Sequence, residues 1–199
     1  MTMKGNPGKV LMTIGLLLLA AALVLAGYNI WEENRAERSA SAVLAQLPGE
    51  PAEPPGEEPP TYLLYPEMEM PTVEIDGRRY IGRLSIPAMG LSLPVLSQWS
   101  SADGKLAPCR YQGSAYTGDL IIAGHNYRSH FGPLKYVGVG DEVLFTDADG
   151  NLFSYTVAAL EILEGTAVEE MKAGDWDLSL FTCTYGGQTR LTLRCVAAG

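Results

Sequence analysis

Histidine and cysteine are scarce in this chain of 199 residues, and basic side chains are outnumbered by acidic ones. With 14 Lys and Arg against 23 Asp and Glu, the formal net charge is -9 and the pI about 4.7. Proteins that bind nucleic acid neutralise phosphates with Lys and Arg, so we expect no nucleic-acid partner. The length suits one ordinary domain with attachments.

Charged residues are also absent from residues 10–27, which consist mostly of Leu, Ala and Val. A helix of about 20 apolar residues crosses a bilayer, so the pattern predicts a membrane-spanning helix at 10–31. Basic residues precede it and acidic ones follow, which predicts a cytoplasmic terminus at 1–9 and an extracytoplasmic location beyond Trp31. A cleaved signal peptide is the alternative, but the stretch is long for one and no good cleavage site closes it.

Residues 32–72 predict a stalk followed by a spacer. The stretch 31–47 has no Gly or Pro, which favours a helix that continues from the membrane. Residues 48–70 contain many Pro and six acids without any Lys or Arg, which favours an extended, flexible chain. We expect the membrane anchor and the acidic spacer to add nothing to a folded core, so that a protein starting near Glu67 would be soluble and folded.

Residues 73–199 have the sequence pattern of an all-β domain, with short apolar runs separated by Gly, Pro and Asn. Many short strands in one domain predict a small closed or nearly closed β-barrel with one or two short helices. The helical turns are expected near 131–136 and 168–172. The predicted strands are 79–86, 91–96, 119–124, 142–146, 152–163, 178–182 and 190–197.

The candidate nucleophiles and bases are few, because this domain has two histidines, His125 and His130, and three cysteines, Cys109, Cys183 and Cys195. An odd number of cysteines leaves at least one thiol without a partner in the chain. Cys183 ends an apolar strand and His125 follows another, and strand ends on a rigid sheet commonly carry function. Taken singly, each residue is more often structural, as a core thiol or a satisfied surface imidazole.

Three short motifs and an opening strand resemble those of the sortases, in the same order along the chain. The resemblance covers residues from about 73 to the C-terminus. The opening segment is Tyr80-Ile81-Gly82-Arg83-Leu84-Ser85-Ile86-Pro87. The motifs are Ala123-Gly124-His125-Asn126, Leu180-Phe181-Thr182-Cys183, and Arg190 before Leu191-Thr192-Leu193.

The resemblance implies a sortase barrel and a cysteine transpeptidase. Such an enzyme cleaves a Leu-Pro-x-Thr-Gly-like sorting signal between Thr and Gly and passes the acyl group to an amine of the cell wall or a pilin. Cys183 would be the nucleophile and His125 would protonate the leaving amine. Arg190 would donate hydrogen bonds to the substrate backbone or the oxyanion. Thr182 and Asn126 are expected to contact the substrate.

Arg194 competes with Arg190 for the third catalytic position. The two lie four residues apart, so in a strand both point to one face and spacing alone does not choose between them. Arg190 is preferred because it directly precedes the apolar strand and is nearer the loop after Cys183. Arg194 is then expected to serve packing or surface charge. For His130 a surface or structural role is expected, and Cys109 and Cys195 are expected to be packed thiols.

No metal site and no cofactor are predicted from the residue pattern. The run Asp147-Ala148-Asp149-Gly150-Asn151 lacks the spacing of an EF-hand loop and predicts a hairpin turn instead. Some sortases bind calcium near the loop before the Cys strand. Calcium therefore stays open here, with four acids in that part of the chain: Glu161, Glu164, Glu169 and Glu170.

Two other functions compete with transpeptidation. Hydrolysis by the same thiol would differ only in using water as the acceptor. A non-catalytic peptide-binding barrel would not need Cys183, His125 and Arg190 together. Within the sortases a small class D-like enzyme is expected, because no Asp-Pro-aromatic lid motif precedes the barrel and residues 164–176 leave little room for the extra class B helix. The expected location is a single-pass anchor in a Gram-positive-type cell membrane.

Overall fold

A computed structural model describes residues 7–47 and 59–198 of the chain. The helices in these ranges are α1 (Pro7–Leu44), α2 (Thr61–Leu64) and α3 (Val168–Lys172), with short 3-10 helices at Pro87–Met89, Asp103–Lys105 and Gly132–Tyr136. The strands are β1 (Val73–Ile75), β2 (Arg78–Ile86), β3 (Leu91–Leu96), β4 (Cys109–Gln112), β5 (Leu120–Ala123), β6 (Glu142–Asp147), β7 (Leu152–Glu164), β8 (Leu178–Cys183) and β9 (Thr189–Ala197).

The seven predicted strands are all present, with ends within one residue of the predicted ones. Two strands, β1 and β4, were not predicted. Both are short, and the four residues of β4 run from buried to exposed without the alternation that marks a strand in a sequence. The two predicted helical turns are α3 and the 3-10 helix at Gly132–Tyr136.

Eight of the described strands close into a barrel in the order β2, β3, β4, β5, β8, β9, β7, β6, with β6 pairing back to β2. Gly82 stands where β2 changes its neighbour from β1 to β6. Its φ of 151° is one that L side chains rarely adopt, and a Cβ there would lie 2.0 Å from the carbonyl oxygen of Thr146. Glycine at this position therefore permits the closure that the sequence predicted.

The barrel interior is filled by alternating apolar side chains from the strands. Leu178 and Leu180 of β8 point into it, so Phe181 and Cys183 point to the opposite face. This alternation decides which side chains of β8 are available to a ligand. The least exposed members of the core include Ile81, Leu84, Ile86, Leu120, Ile122, Leu178, Leu180 and Leu193.

Helix α1 combines an exposed apolar half with a half that packs on the barrel. Within Gly8–Leu44 its most apolar 18-residue window has a mean hydropathy of 2.6 and none of it is buried, so the helix is apolar enough to cross a membrane. The later half buries Ala36, Ala40 and Val43 at helical spacing, and Leu47 in the turn after the helix is buried as well. The predicted stalk therefore contributes to the packed core, and a protein that starts near Glu67 would lack this part of it.

Two contacts fix this later half of α1 to the barrel. Val43 and Leu47 pack in a cluster with Tyr80, Leu96 and Cys109, at the end of the barrel where β3 finishes. The Arg83 guanidinium donates a hydrogen bond of 2.9 Å to the carbonyl oxygen of Leu44, the last residue of the helix. The stalk is thus anchored by apolar burial and by a cap on one free helical carbonyl.

Part of the predicted spacer, residues 48–58, lies outside the described residues. The remainder packs against the barrel. Tyr62 of α2 stacks on Tyr116, with ring centroids 4.6 Å apart, and Met70 belongs to the main core with 4% of its surface exposed. The packed unit therefore begins before residue 73, where the sequence placed the start of the domain.

Candidate active site

Strands β5 and β8 lie side by side in parallel, and this pairing brings the first two predicted residues together. Ala123 pairs with Phe181, so both strands finish at the same edge of the barrel. His125 comes two residues after Ala123, and Cys183 comes two residues after Phe181. Parallel neighbours place their carboxyl ends together, which explains why two strand-end residues far apart in sequence meet.

The antiparallel pairing of β8 with β9 adds Arg190. Cys183 is opposite Arg190 in the register of the two strands, at the turn that joins them. Side chains directly opposite one another lie on the same face of a sheet. The guanidinium and the thiol are therefore on one face, together with Phe181.

These three residues line one pocket of about 230 Å³. Its walls are largely apolar and come from the strand ends, from the loop after β3 and from α3. The aromatic residues Trp99 and Tyr111, which sequence analysis did not single out, contribute to it with 41% and 39% of their surface exposed. Trp99 lies in the loop after β3 and Tyr111 lies in β4. Further lining residues are Ala167, Val168, Met171, Phe181 and Glu164.

The His125 imidazole is half-buried between two aromatic rings. Its centroid is 5.1 Å from that of Tyr127, with the planes at 20°, and 5.9 Å from that of Trp99. Burial lowers the pKa of His125 below its ordinary value, and the nearby Lys105 lowers it further, while Glu32 opposes the shift. The neutral imidazole is therefore favoured around neutral pH.

The Arg190 side chain is held by the turn that follows Cys183. Its Nη1 donates to the carbonyl oxygens of Gly187 and Thr189, at 2.8 and 3.0 Å. No other hydrogen bond or ion pair to this side chain occurs within residues 7–47 and 59–198. Nη1 thus fixes the guanidinium, and the N–H groups of Nε and Nη2 can donate hydrogen bonds to a ligand in the pocket.

Arg194, the rival of Arg190, is committed to a structural network. It is 2% exposed and is opposite Ser179, away from the thiol. Its nitrogens bond the carboxylate of Glu161 at 2.9 Å, the hydroxyl of Ser179 at 3.0 Å, and the carbonyl oxygens of Met171 and Glu170 at 2.7 and 2.6 Å. The surface-charge role considered for Arg194 is therefore wrong, because the side chain ties α3, a pocket wall, to the barrel.

All three cysteines are free, and their surroundings differ. Cys109 and Cys195 are fully buried, and burial raises the pKa of each thiol to about 12. Cys183 is partly exposed in the pocket. The two buried thiols are thus the packed cysteines that the sequence predicted, and they are poor nucleophiles.

The two residues predicted to contact substrate occupy different positions. Thr182 borders the pocket, but it is 3% exposed and its alternation with Cys183 directs its hydroxyl to the barrel interior, where it has no hydrogen-bond partner among the described residues. Asn126 is not among the lining residues, and its Oδ1 lies toward Gly132 instead. A contact with substrate stays a prediction for Thr182 and has no support in this geometry for Asn126.

His130 is completely buried, so the surface position considered for it is wrong and the structural alternative fits. Its ring lies 5.3 Å from that of Tyr127. Burial lowers the pKa of His130 to about 4, with a further lowering by His125 and an opposing effect of the Leu106 backbone. His130 is therefore a neutral packing residue of the loop that carries His125.

The acids considered for calcium do not form a cluster. Within residues 7–47 and 59–198, no three His, Cys, Asp or Glu side chains lie together as a metal site would require. Glu161 is engaged by Arg194. The run from Asp147 to Asn151 is the predicted hairpin turn, in which the Asp147 carboxylate accepts hydrogen bonds from the backbone N–H groups of Asp149 and Asn151.

Comparison with known proteins agrees with this architecture. Residues 84–199 match the Sortase domain family. Sortase A from Corynebacterium diphtheriae aligns over 86% of this chain and 84% of its own, with a TM-score of 0.54 and 19% identity. Sortase C of Streptococcus pneumoniae aligns over 84% and 89%, with a TM-score of 0.54 and 21% identity. A Clostridium perfringens sortase D5 transpeptidase aligns over 60% of this chain and 79% of its own, with a TM-score of 0.53 and 19% identity.

The fold and the pocket define a sortase-type β-barrel with a free thiol at a strand end. The match to the Sortase domain extends over more than half of the residues, from 84 to 199, and the chain belongs to the sortase family, whose members are cysteine transpeptidases. The structural neighbours include classes A, C and D at similar scores, which shows the shared fold. No curated protein sequence matches the chain.

Proposed function

We propose that this chain is a membrane-anchored sortase whose nucleophile is Cys183, with His125 as the proton-transfer group and Arg190 as the stabiliser of the substrate oxyanion. The supporting observation is that these three side chains line one pocket at the edge where β5, β8 and β9 finish. Acyl transfer through a thioester needs a nucleophile, a proton-transfer group and a stabiliser of the oxyanion. The thiol, the imidazole and the guanidinium in this half-buried pocket can serve as these three groups.

The proposed first half-reaction forms the acyl-enzyme. The thiol proton of Cys183 passes to His125, and the sulfur attacks the carbonyl carbon of the scissile Thr–Gly bond. The resulting oxyanion accepts hydrogen bonds from Arg190. When the intermediate collapses, the C–N bond breaks and the leaving amine takes the proton from His125. Because burial lowers the pKa of His125, the neutral imidazole that can accept this proton is favoured.

The second half-reaction transfers the acyl group. An amine of a peptidoglycan precursor or a pilin attacks the thioester and its proton passes to His125. The C–S bond then breaks, and the departing sulfur takes the proton from His125 to regenerate the thiol. The apolar walls from Val168, Met171 and Phe181 suit the Leu and Pro side chains of a Leu-Pro-x-Thr-Gly-like sorting signal. The proposal involves no cofactor.

The proposed location is the outer face of the cell membrane. The exposed apolar half of α1 would cross the bilayer once, with the barrel on the extracytoplasmic side, as the positions of the flanking charges indicate. The partners would then be membrane-borne surface proteins or pilins that carry the sorting signal.

The experiment uses the full-length protein in detergent with a library of peptides that vary around Leu-Pro-x-Thr-Gly and triglycine as the amine. Mass spectrometry should find a thioester adduct on Cys183 and a product that carries triglycine. Cys183→Ala should give neither, while Cys109→Ala and Cys195→Ala, as matched thiol removals, should retain both.

Three results would overturn parts of this proposal. Adduct formation by the Cys183→Ala variant would exclude the assigned nucleophile. Product that carries water and no triglycine would identify a hydrolytic cysteine peptidase. Peptide binding without any cleavage would identify a non-catalytic barrel.

A further inference from the structure

The helix that carries the apolar segment touches the loops beside the candidate active site. Glu32 accepts a hydrogen bond from Lys105 in a salt bridge of 2.7 Å, and its side chain is 19% exposed. Glu33 accepts a hydrogen bond of 2.5 Å from the backbone N–H of Arg128. Both contacts join the first acidic residues of α1 to the two loops that surround His125.

Glu32 stands behind the groups that flank the imidazole. The ring of Tyr127 stacks on His125 at 5.1 Å, and the Lys105 ammonium is near enough to influence the same imidazole. The carboxylate of Glu32 also faces the Tyr127 phenol: burial raises the pKa of Tyr127 and the charge of Glu32 raises it further. One carboxylate therefore binds Lys105 and faces Tyr127, two groups that act on His125.

We propose that Glu32 is a positioning residue for His125, which acts by holding Lys105 and the Tyr127 ring against the imidazole. The inference rests on the proposed function, because it gives Glu32 a purpose in catalysis only if His125 transfers the proton. It makes the segment of α1 just beyond the apolar stretch a component of the active site. Neither the family motifs nor the all-β pattern assigned any role to this segment.

The charges around His125 determine what the loss of Glu32 would do. Lys105 and Glu32 face the imidazole from the 103–105 turn and from α1, and they act in opposite directions on its pKa. His130 lies on the same loop and is neutral because burial keeps its pKa low. Cys183, Glu164 and Arg190 face it across the pocket. Removal of Glu32 leaves the Lys105 ammonium unpaired, which must lower the pKa of His125 further.

The contact of Glu32 with Lys105 and the apolar stretch lie on one continuous helix, α1. The helix is unbroken from Pro7 to Leu44, and Trp31, which precedes Glu32, is still 52% exposed. A helix advances about 1.5 Å per residue, so the contact with Lys105 lies about one turn beyond the end of the apolar stretch. The His125 loop is therefore fixed close to the point where the chain would leave a bilayer.

The test compares Glu32→Gln with Glu37→Gln in the full-length protein in detergent or lipid nanodiscs. Glu37 lies on the same helix and is exposed, and its side chain has no ion pair or hydrogen bond among the described residues, so it controls for the loss of one charge. Two kinds of data are collected: the titration of His125 by NMR, and the pH dependence of kcat and of KM, determined separately, for transfer of a sorting peptide to triglycine.

Glu32→Gln should move the His125 titration to lower pH and reduce kcat by about 10- to 100-fold with little change in KM, the size expected from a misplaced catalytic group. The double variant Glu32→Gln/Lys105→Met should return the titration toward that of the wild type, because both opposing charges are gone. A merely structural contact would change the melting temperature without this restoration.

Equal His125 titrations in Glu32→Gln and Glu37→Gln would overturn the proposal, as would an unchanged kcat. If the wild type transfers no peptide, the proposed function fails. In that case the NMR titration still decides whether Glu32 controls His125, because it requires no turnover. The two failures are thus separate observations.

Discussion

Cys183 lies directly opposite Arg190 on neighbouring antiparallel strands, one pair before the turn that joins them. Opposed residues have Cβ atoms about 4.5–5.5 Å apart, so backbone pairing places the two side chains next to each other on one face of the sheet. Arg194 is opposite Ser179, four residues further along β9. Pairing register, which depends on the tertiary fold, therefore separates two arginines that strand periodicity treats as equivalent.

Arg190→Lys is expected to lose activity without loss of folding. An ammonium keeps the charge but cannot both bond the turn carbonyls and present a second donor to an oxyanion. Loss of such a donor costs about 10²–10³ in rate, or roughly 3–4 kcal/mol. The measurement is kcat/KM for peptide transfer, with the melting temperature as a check that the variant is folded.

Arg194→Lys is expected to show the opposite pattern. It leaves the buried carbonyl oxygen of Met171 and the buried hydroxyl of Ser179 without the Arg194 donor, and an unsatisfied buried polar group costs about 1–3 kcal/mol. The melting temperature should fall, and activity below that temperature should suffer less than in Arg190→Lys. If Arg194→Lys instead abolished activity in a protein of normal stability, Arg194 would replace Arg190 as the proposed catalytic arginine.

Removal of the stalk is expected to destabilise the barrel. A protein that starts at Glu67 lacks Val43 and Leu47, which cover Tyr80 and Leu96. Full burial of such side chains contributes about 1.5–3 kcal/mol each. A protein that starts at Glu32 retains these contacts and omits the apolar half of α1, so it should melt at a higher temperature. Equal melting temperatures would show that the packing of α1 contributes nothing.

Seven of the nine described strands and the two strand-end residues were predictable because their signals are local. Each of these seven strands has its own alternation or apolar run, and His125 and Cys183 are recognisable by their place at strand ends and by the surrounding motifs. Two assignments required the fold. The choice between Arg190 and Arg194 depends on the pairing register of β8 and β9. The docking of α1 depends on the barrel residues that it packs against.

The docking of α1 did leave a trace in the sequence. Ala36, Ala40, Val43 and Leu47 follow one another at intervals of three or four residues, which is the spacing of a buried helical stripe. The sequence does not show which surface such a stripe packs against, because that surface lies on strands that are distant along the chain. The contact of Glu32 with Lys105 was hidden for the same reason, being a pairing across 73 residues.

His130 should make the folded state sensitive to acid. Its pKa of about 4 lies below the ordinary 6.5, so the unfolded chain binds more protons between these values and stability falls as pH falls through them. The full loss would be about 3 kcal/mol, at 1.36 kcal/mol per pKa unit. The melting temperature of His130→Phe should depend less on pH between 6.5 and 4 than that of the wild type. An identical pH dependence would assign the acid sensitivity to other groups.

Gly82→Ala is expected to open the barrel at its closing pair. The new Cβ would meet the Thr146 carbonyl oxygen at 2.0 Å and the Asp147 Cα at 2.8 Å, and both are backbone atoms that cannot move without separating β2 from β6. The φ of 151° adds strain of about 1–3 kcal/mol for a residue with a side chain. Thermal unfolding followed by tryptophan fluorescence should show a large loss of stability or a failure to fold.

Gly77→Ala is the matched control, because Gly77 also has a positive φ, of 71°, yet a Cβ there would meet nothing within 4 Å. That variant should lose only about 1 kcal/mol, the cost of the backbone conformation alone. The difference between the two variants then measures the clash at the closure of the barrel. Equal losses would mean that β2 and β6 adjust to a side chain at Gly82, and that closure of the barrel does not depend on glycine.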